Sequence, residues 1–166
     1  MKKIYLPLTK VDVKRLKPGE WVLINGFLLG ARDAAHKRIV EGLKAGKRPP
    51  VSIKGETIYY TGPAPKRPGE IIGSCGPTTS SRMDPFTATL LKNGLVGMIG
   101  KGERSEEVIS AIKKYGGVYF ITIGGAGAYL SQKVKSANVV AYGDLGPEAI
   151  HRLEVRDFPA MVCARG

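Results

Sequence analysis

Residues 73–84 hold the densest group of side chains that could do chemistry in this sequence. They read Gly-Ser-Cys-Gly-Pro-Thr-Thr-Ser-Ser-Arg-Met-Asp, with four consecutive hydroxyl side chains and then an arginine. Gly76 allows backbone angles that a side chain would forbid and Pro77 fixes its own, so we expect a stiff loop. Hydroxyls, backbone N–H groups and an arginine beside a helix start can bind a carboxylate or a phosphate. An ordinary strand-to-helix turn with a capping aspartate is the alternative interpretation of this 73–84 loop.

The segments after the 73–84 loop alternate between helix and strand patterns. Residues 84–93 predict a helix, with Asp84 as its N-cap and Pro85 at its first helical position. The strand, helix, strand, short helix and strand predicted next cover residues 96–100, 105–115, 118–123, 127–134 and 138–142. Ser105 is the expected N-cap of the first of those helices. This β-α-β-α-β rhythm implies parallel strands joined by right-handed crossovers.

The first half of the sequence is richer in turns and β patterns, and two more β segments close the chain. The predicted strands outside the alternating region cover residues 21–25, 51–54, 57–61, 152–155 and 160–163. A helix is predicted at residues 33–43, ended by Gly46, and His151 falls in a short helix predicted after Pro147. The sequence therefore predicts one α/β domain over residues 1–166, with a β-rich N-terminal layer and parallel βαβ units in the C-terminal half.

Polar or glycine-rich residues follow three of the strands that are predicted to be parallel. Lys101 follows the first, Gly124-Gly-Ala-Gly127 follows the second, and Gly143-Asp144 follows the third. In open α/β sheets, ligands bind beyond the C-terminal ends of the strands. We therefore expect these residues at one edge of the sheet, together with the 73–84 loop.

Arg32 stands just before the helix predicted at residues 33–43. From there its planar guanidinium can present a fork to a carboxylate, whereas the alternative is an arginine in solvent at a helix start. Asp33 is the expected cap of that helix. His36, in the first helical turn, is interpreted as a surface or structural residue rather than a catalytic one.

Composition and cysteine count narrow the class of protein. The 166 residues are 43% hydrophobic, and no apolar run approaches the roughly 20 residues of a membrane span. The N-terminus lacks the apolar segment of a secretory signal, so we expect a cytoplasmic protein with no membrane partner. Two cysteines, Cys75 and Cys163, exclude a zinc finger and a self-contained iron–sulfur cluster, each of which needs about four ligands. Cys75 is interpreted as a small buried hydrophobe.

The chain carries a formal charge of +12, from 26 lysines and arginines against 14 acidic residues. Such an excess is compatible with nucleic acid, an acidic partner or an anionic substrate. The basic residues crowd the N-terminus and the loops without forming a continuous block, which favours a solvated surface and no nucleic-acid partner. A non-catalytic basic module that binds nucleic acid is the alternative from another functional class.

The 73–84 loop also resembles a motif of a known family. Gly76-Pro-Thr-Thr-Ser-Ser-Arg-Met-Asp84 is similar to the signature of the β subunit, or C-terminal domain, of class I (iron–sulfur) fumarases and tartrate dehydratases. Five other segments resemble the same family in the same order, namely residues 30–38, 58–63, 100–102, 123–126 and 154–160. The resemblance therefore covers nearly the whole chain.

The resemblance implies the β subunit of a two-subunit hydro-lyase. Class I fumarase, which interconverts L-malate and fumarate, is the main interpretation, and L-tartrate dehydratase is the alternative. The family's fold is the swivelling β/β/α domain. Its [4Fe–4S] cluster is held by three cysteines of a partner α subunit and not by a chain of this kind, in an expected α2β2 assembly. Because the sequence starts with Met1, a natural separate subunit is expected rather than an excised domain.

The resemblance also gives roles to five residues. Arg32 and Arg82 fall on substrate-binding arginines of the family, and Lys101 falls on a lysine of the same site. Thr78 falls on the threonine proposed as the base that removes the C3 proton, and Thr79 is expected to donate a hydrogen bond to the substrate. A hydroxyl is too weak a base at neutral pH without an activating neighbour. In the family, an aspartate of the partner subunit is that neighbour.

Overall fold

All seven strands of the protein belong to a single sheet. The computed structural model describes every residue from Met1 to Gly166. The strands are β1 (Lys2–Tyr5), β2 (Trp21–Gly30), β3 (Thr57–Tyr59), β4 (Gly97–Gly100), β5 (Val118–Ile121), β6 (Val134–Ala141) and β7 (Ile150–Arg165). The α-helices are α1 (Lys10–Arg15), α2 (Asp33–Lys44), α3 (Asp84–Lys92), α4 (Glu106–Tyr115) and α5 (Gly127–Ser131), and short 3-10 helices cover Ser80–Met83 and Gly143–Glu148. No helix combines the length and the apolar sequence that crossing a membrane requires.

Strand β7 closes this sheet. The strand order is β1-β2-β3-β4-β5-β7-β6, and β7 pairs additionally with β2. The pairings among β1 to β5 are all parallel, whereas β7 runs antiparallel to β2, β5 and β6. Pairs with β2 run from Trp21–Met161 to Gly30–His151, and the far end of β7 reaches β5 through Val118–Arg165. The strands β2, β3, β4, β5 and β7 therefore form a closed ring of pairings, flanked by β1 and β6.

The two faces of the sheet bury two separate clusters of apolar side chains. Successive residues of a strand point to opposite faces, so Phe120 of β5 joins one cluster and Tyr119 joins the other. The first cluster also contains Val13 of α1. The second contains side chains from three helices, including Ile39 of α2, Leu90 of α3 and Ile112 of α4. Helices α2, α3 and α4 thus cover the same face of the sheet.

The three longer helices lie where the sequence predicted them. Helices α2, α3 and α4 agree with the predicted segments to within one residue at each end. Ser105 is the N-cap of α4, since its hydroxyl accepts a hydrogen bond from the Val108 N–H at 3.2 Å. The last turn of α4 ends at Gly116, whose φ of 76° is easily reached by glycine alone.

Several of the predicted β segments were wrong. Residues 51–54 form no strand. The segments 152–155 and 160–163 belong to the single strand β7, because the residues between them continue to pair with β2. His151 lies in β7 opposite Gly30 and not in a helix. Strand β6 pairs with β7 in antiparallel fashion, so it does not extend the parallel series as predicted.

The predicted N-terminal layer also differs from the structure. Strands β1, β2 and β3 hydrogen-bond in the same sheet as the C-terminal strands. The antiparallel pairing of β2 with β7 joins the two halves of the chain along the length of β2, with one irregularity between Ile24 and Gly26. The α/β class is therefore confirmed, whereas the division into an N-terminal layer and a C-terminal half is not.

His36 lies on the buried face of α2. Its side chain is fully enclosed, and its ring stands edge-on to Tyr60 with the centroids 5.3 Å apart. Nδ1 donates to the Arg32 carbonyl at 2.8 Å, whereas Nε2 is buried without a partner. Burial lowers the pKa of His36 from 6.5 to about 4. The ring is therefore neutral at physiological pH, and it serves to pack α2 against Tyr60 and to hold the Arg32 carbonyl.

Mild acid should weaken the fold through His36. In the unfolded chain this histidine gains a proton near pH 6.5, but in the folded chain it stays neutral down to about pH 4. Stability that is present above pH 6.5 is therefore lost as the pH falls. Urea unfolding should show a loss of about 1–2 kcal/mol between about pH 7.5 and about pH 5.5.

The variant His36→Asn keeps a donor near the position of Nδ1 but does not titrate. Its unfolding free energy should be much less sensitive to pH over that interval. The control is His151→Asn, because that half-buried histidine has a pKa lowered by burial to a lesser degree. A full pH effect in His36→Asn would show that the acid sensitivity arises elsewhere.

Candidate active site

The 73–84 loop crosses the C-terminal ends of β3 and β4. The Thr78 N–H donates to the carbonyl of Tyr60, the residue after β3, at 2.7 Å. Thr79 forms an isolated parallel bridge with Lys101, the residue after β4, and the Ser80 N–H donates to the Lys101 carbonyl at 2.9 Å. The loop therefore continues the hydrogen-bonding pattern of the sheet beyond the strand ends. The prediction that Lys101 and the loop share one edge of the sheet is confirmed.

Close approach of the loop to β4 requires glycine at position 100. A Cβ built on Gly100 would overlap the Ser80 hydroxyl and would come within 2.8 Å of the Tyr60 ring. Ser80 itself is fully buried, and its hydroxyl is hydrogen-bonded to that of Tyr119 at 2.8 Å. Ser80 thus anchors the loop to the sheet through Tyr119. Of the two threonines at the strand ends, Thr79 is exposed and Thr78 is only 9% exposed.

Arg32 and Arg82 meet through the carboxylate of Asp33. Arg32 follows β2, and Arg82 lies in the 3-10 helix at the end of the 73–84 loop. Arg32 Nε donates to Asp33 Oδ1 at 3.2 Å, and Arg82 Nε donates to Asp33 Oδ2 at 3.0 Å. The two arginines are 50 positions apart in the sequence but share one side chain. All five predicted site residues, Arg32, Thr78, Thr79, Arg82 and Lys101, therefore lie around the ends of β2, β3 and β4.

Asp33 is not the cap of α2, contrary to the sequence-based expectation. The N-cap position is Arg32, and no side-chain hydrogen bond is made from it to the helix. Glu148 supplies that contact instead, since its Oε1 accepts from the Ala34 N–H at 3.1 Å. The same Oε1 lies 3.5 Å from Arg32 Nε. Two carboxylates, those of Asp33 and Glu148, therefore face Arg32.

The Asp33 carboxylate is held ionised by its neighbours. Partial burial by itself would raise the pKa of Asp33, but a backbone N–H and the guanidinium groups of Arg32 and Arg82 together hold this pKa below its ordinary value. The carboxylate is therefore negatively charged at neutral pH. Both arginine contacts are consequently ion pairs, with side chains that are 26% exposed in Arg32 and 50% exposed in Arg82.

A buried arginine, Arg104, fixes the far end of the 73–84 loop. Its side chain is fully buried and donates from Nε to Asp84 Oδ1 at 2.7 Å. Its Nη1 donates to the Tyr60 hydroxyl at 3.2 Å, and its Nη2 donates to the Thr87 hydroxyl at 2.7 Å. The guanidinium carbon also lies 4.8 Å from the centroid of the Tyr119 ring. One side chain thus joins α3, the end of β3 and the residue Tyr119 that supports Ser80.

Sequence reasoning missed Arg104 and gave Asp84 the wrong partner. Asp84 was expected to cap α3, but its second oxygen accepts from the Ser105 N–H at 2.9 Å, at the start of α4. The N-cap position of α3 is Met83, which makes no side-chain cap. Arg104 and Asp84 are 20 residues apart, and no local pattern marks them as a pair. The weak signal available was an arginine directly before the helix-capping Ser105.

The molecule also has a cleft beside the 63–73 segment. It has a volume of about 320 Å³ and is lined by the 63–66 and 71–73 segments together with residues of β6, β7 and the loop between them. None of the five predicted site residues lines it. The candidate site is therefore defined by charged and hydroxyl side chains on the strand ends.

Comparisons with known proteins match nearly the whole chain to one family. A family model described as the fumarase C-terminus matches residues 1–165. The chain is 44% identical over 141 residues to the aerobic class I fumarate hydratase of Escherichia coli strain K12, and 44% identical over 141 residues to the mitochondrial fumarate hydratase 1 of Leishmania major. Each alignment covers 84% of this chain but 26% of the relative. The chain thus spans about a quarter of the length of these enzymes.

Another relative is close to this chain in size. It is the putative L(+)-tartrate dehydratase subunit beta of Methanocaldococcus jannaschii, which is 38% identical over 162 residues. That alignment covers 95% of this chain and 83% of the relative. The match therefore extends over most of both proteins.

Loss of Arg104 should destabilise the protein strongly. Arg104→Met keeps much of the side-chain volume but leaves the Asp84 carboxylate, whose side chain is 15% exposed, without its cation. Breaking a buried pair in this way typically costs about 3–5 kcal/mol. The free energy of unfolding in urea would measure this loss. The double variant Arg104→Met/Asp84→Asn removes the uncompensated charge and should recover part of it.

The matched control is Arg38→Met. Arg38 also pairs with an aspartate, Asp144, at 2.9 Å, but both side chains are exposed. Because exposed ion pairs contribute little, this variant should be close to wild type. Similar losses in Arg104→Met and Arg38→Met would contradict the role assigned to Arg104.

Proposed function

This chain belongs to the fumarase C-terminus family, and from that premise we propose that it is the β subunit of a class I fumarate hydratase, which interconverts L-malate and fumarate. The observation that carries the proposal is the meeting of Arg32, Arg82 and Lys101 with the Thr78–Thr79 pair at one edge of the sheet. A four-carbon dicarboxylate has two anionic ends. Two guanidinium groups and one ammonium group around a pair of hydroxyls match that charge pattern.

Each residue has a separate task in this proposal. Arg32 and Arg82 bind the substrate carboxylates, and Lys101 adds a positive charge beside them. The exposed Thr79 hydroxyl donates a hydrogen bond that orients the substrate. Thr78 takes the proton from C3 while the C2–O bond breaks and the electron pair of the C3–H bond forms the double bond. The departing hydroxide takes up one proton, so that malate yields fumarate and one water molecule once Thr78 has given up the proton it took. Because a neutral hydroxyl is a weak base, Thr78 requires an activating carboxylate, which we assign to the partner subunit.

The residues of this chain do not fit an iron–sulfur cluster. Cys75 is buried in the apolar cluster that contains Phe120, and burial raises the pKa of its thiol to about 11. Cys163 is exposed on β7. No three histidine, cysteine or acidic side chains lie together in a way that could hold a metal ion. We therefore place the [4Fe–4S] cluster of the proposed enzyme in the α subunit.

The proposed assembly follows from the separation of the cluster and the substrate-binding residues onto two subunits. We propose an α2β2 enzyme in the cytoplasm, in which residues 1–166 form one domain of the swivelling β/β/α type. Supporting this arrangement, the fumarate hydratases are about four times longer than the matched segment, whereas the relative named as a subunit beta matches over 83% of its length. The site on this chain would face the α subunit, which would supply the cluster and the group that activates Thr78.

L-Tartrate dehydration is the second candidate function. It is favoured by the match of this chain to the putative L(+)-tartrate dehydratase subunit beta, a relative that the alignment covers over 83% of its length. Tartrate is also a four-carbon dicarboxylate, with hydroxyl groups on both C2 and C3. The same arginines and threonines could therefore serve either substrate.

Reconstitution with a candidate α subunit tests both functions. The two chains would be co-expressed and purified without oxygen, and the complex assayed with L-malate, fumarate and L-tartrate. We expect a stable complex that hydrates fumarate, with no activity in either chain alone. Activity on tartrate but not on fumarate would select the second candidate. Full activity of this chain alone, without partner or iron, would exclude the two-subunit mechanism.

Substrate binding should require the guanidinium groups of Arg32 and Arg82, and a lysine should not replace them. In the reconstituted enzyme, Arg32→Ala and Arg82→Ala should each lower kcat/KM by an amount equivalent to about 2–5 kcal/mol, because a charged hydrogen-bonded contact is lost. Arg82→Lys should also be impaired, since lysine cannot offer a planar fork. Steady-state kinetics with malate and fumarate measure this. Unchanged kcat/KM in both alanine variants would remove the two residues from the site.

Thr78 should be needed for proton transfer. Thr78→Val keeps the shape of the side chain and deletes only the hydroxyl, so we expect kcat to fall by about 10²–10⁴-fold. Assembly with the α subunit should be unaffected. The matched control is Thr79→Val, which should mainly raise KM. Exchange of the C3 proton with deuterated solvent, followed by NMR, isolates the step, and wild-type exchange in Thr78→Val would assign the base to another group.

A further inference from the structure

Asp33 contacts both proposed carboxylate-binding arginines with different oxygens. Its Oδ1 accepts from Arg32 Nε at 3.2 Å and its Oδ2 accepts from Arg82 Nε at 3.0 Å. Arg32 precedes it in the chain, whereas Arg82 comes from the 73–84 loop on the other side of the site. Glu148 also faces Arg32, but it has no contact with Arg82. Asp33 is therefore the one carboxylate that joins the two guanidinium groups.

The contacts of Asp33 use only one N–H of each arginine. Both hydrogen bonds come from Nε, and the Nη atoms of Arg32 and Arg82 make none. The two other arginines that are hydrogen-bonded to an aspartate differ in this respect. Arg38 gives both Nη atoms to Asp144, and Arg104 uses Nε, Nη1 and Nη2 together. In the Asp33 pairs, by contrast, the Nη atoms stay available to a further carboxylate, which a planar guanidinium can bind with two N–H groups.

We infer that Asp33 is a positioning residue that orients both arginines for substrate by occupying their Nε groups. This inference rests on the proposed function, since it concerns the same carboxylate-binding site. Long arginine side chains lose considerable rotamer freedom when a ligand fixes them. Asp33 fixes them before the ligand arrives, so less of that entropy is lost on binding. Asp33 lies within the site but leaves the reacting atoms to other groups.

The same contacts could have the opposite role, and the two roles predict opposite changes in dicarboxylate affinity when Asp33 is removed. If Asp33 were an internal anion that the substrate must displace, its removal would strengthen binding of a dicarboxylate. If it positions the arginines, its removal weakens binding, even though the site becomes more positive by one charge. The direction of the change in affinity therefore decides between the two roles.

The experiment compares Asp33→Asn with the matched control Asp144→Asn in the full chain. Both variants remove one negative charge from an arginine–aspartate pair that includes or adjoins α2. NMR spectra of ¹⁵N-labelled protein would follow the Nε–H signals of Arg32 and Arg82, assigned with Arg→Lys variants. Titration with succinate, a non-reacting four-carbon dicarboxylate, at constant ionic strength would give the affinity.

We expect Asp33→Asn to shift both Nε–H signals and to speed their exchange with water. Succinate affinity should fall about tenfold, because two side chains must then be ordered on binding. Asp144→Asn should change neither the two signals nor the affinity, and both variants should unfold at nearly the wild-type temperature. Equal or tighter succinate binding in Asp33→Asn would overturn the inference, as would a response of only one of the two arginines.

The same measurements distinguish a failure of the proposed function from a failure of the role inferred for Asp33. If the wild-type chain bound no succinate while both Nε–H signals still depended on Asp33, the pairing would stand and the assignment of a dicarboxylate substrate would fall. If succinate binding were lost in Arg82→Ala but unaffected in Asp33→Asn, the carboxylate site would stand and the positioning role of Asp33 would fall.

Discussion

The geometry of the candidate site depends on one buried ion pair, between Arg104 and Asp84. Asp84 is the last residue of the 73–84 loop and the first of α3, so fixing it fixes where the loop ends. The Arg104 guanidinium also donates a hydrogen bond to the Tyr60 hydroxyl. The Tyr60 carbonyl in turn accepts a hydrogen bond from the Thr78 N–H. A charge buried this completely is tolerated only when its hydrogen bonds are satisfied. The positions of Thr78 and Arg82 at the surface are therefore set by an interaction beneath them.

Two carboxylates offset part of the positive charge at the site, whereas the chain carries +12 overall. Asp33 and Glu148 face the guanidinium of Arg32, and Asp33 also faces that of Arg82. Most of the excess positive charge lies elsewhere, on exposed residues such as Lys2, Lys3 and Lys17. Net charge was therefore a poor guide to the site. Recognition of an anion here depends on which N–H groups remain unused.

The sequence predicted the parts of the fold that follow from local patterns. The three longer helices follow from apolar periodicity and end signals such as Ser105 and Gly46. The edge that gathers Lys101 and the 73–84 loop follows from a general rule about parallel strands. Local patterns predict two strands where the structure has the single strand β7. Asp157 and Pro159, which lie between the two predicted segments, are residue types that are unfavourable in strands. In the structure Asp157 has a φ of 51°, and β7 continues beyond it.

Long-range pairs could not be predicted from the sequence. Asp33 and Asp84 each stand at a helix start, where capping is the usual role of aspartate. Each instead pairs with an arginine far away in the chain, and Glu148 takes over the contact with the start of α2. The family resemblance named Arg32 and Arg82 but gave no sign that they share a carboxylate. Their connection appears only when the loop is placed against β2 and α2.

The closure of the sheet by β7 has a consequence for how the protein is made. Strand β7 follows every other strand in the sequence, and it fills the gap between β2 and β5. A ribosome releases the chain from its N-terminus, so β1 to β6 emerge while the apolar side chains of β2 and β5 still lack their final neighbour. Pairing β2 with β7 brings together residues about 130 positions apart, which is slow because of the long loop that must close. Until then the chain exposes unpaired strand edges of the kind that chaperones protect from aggregation.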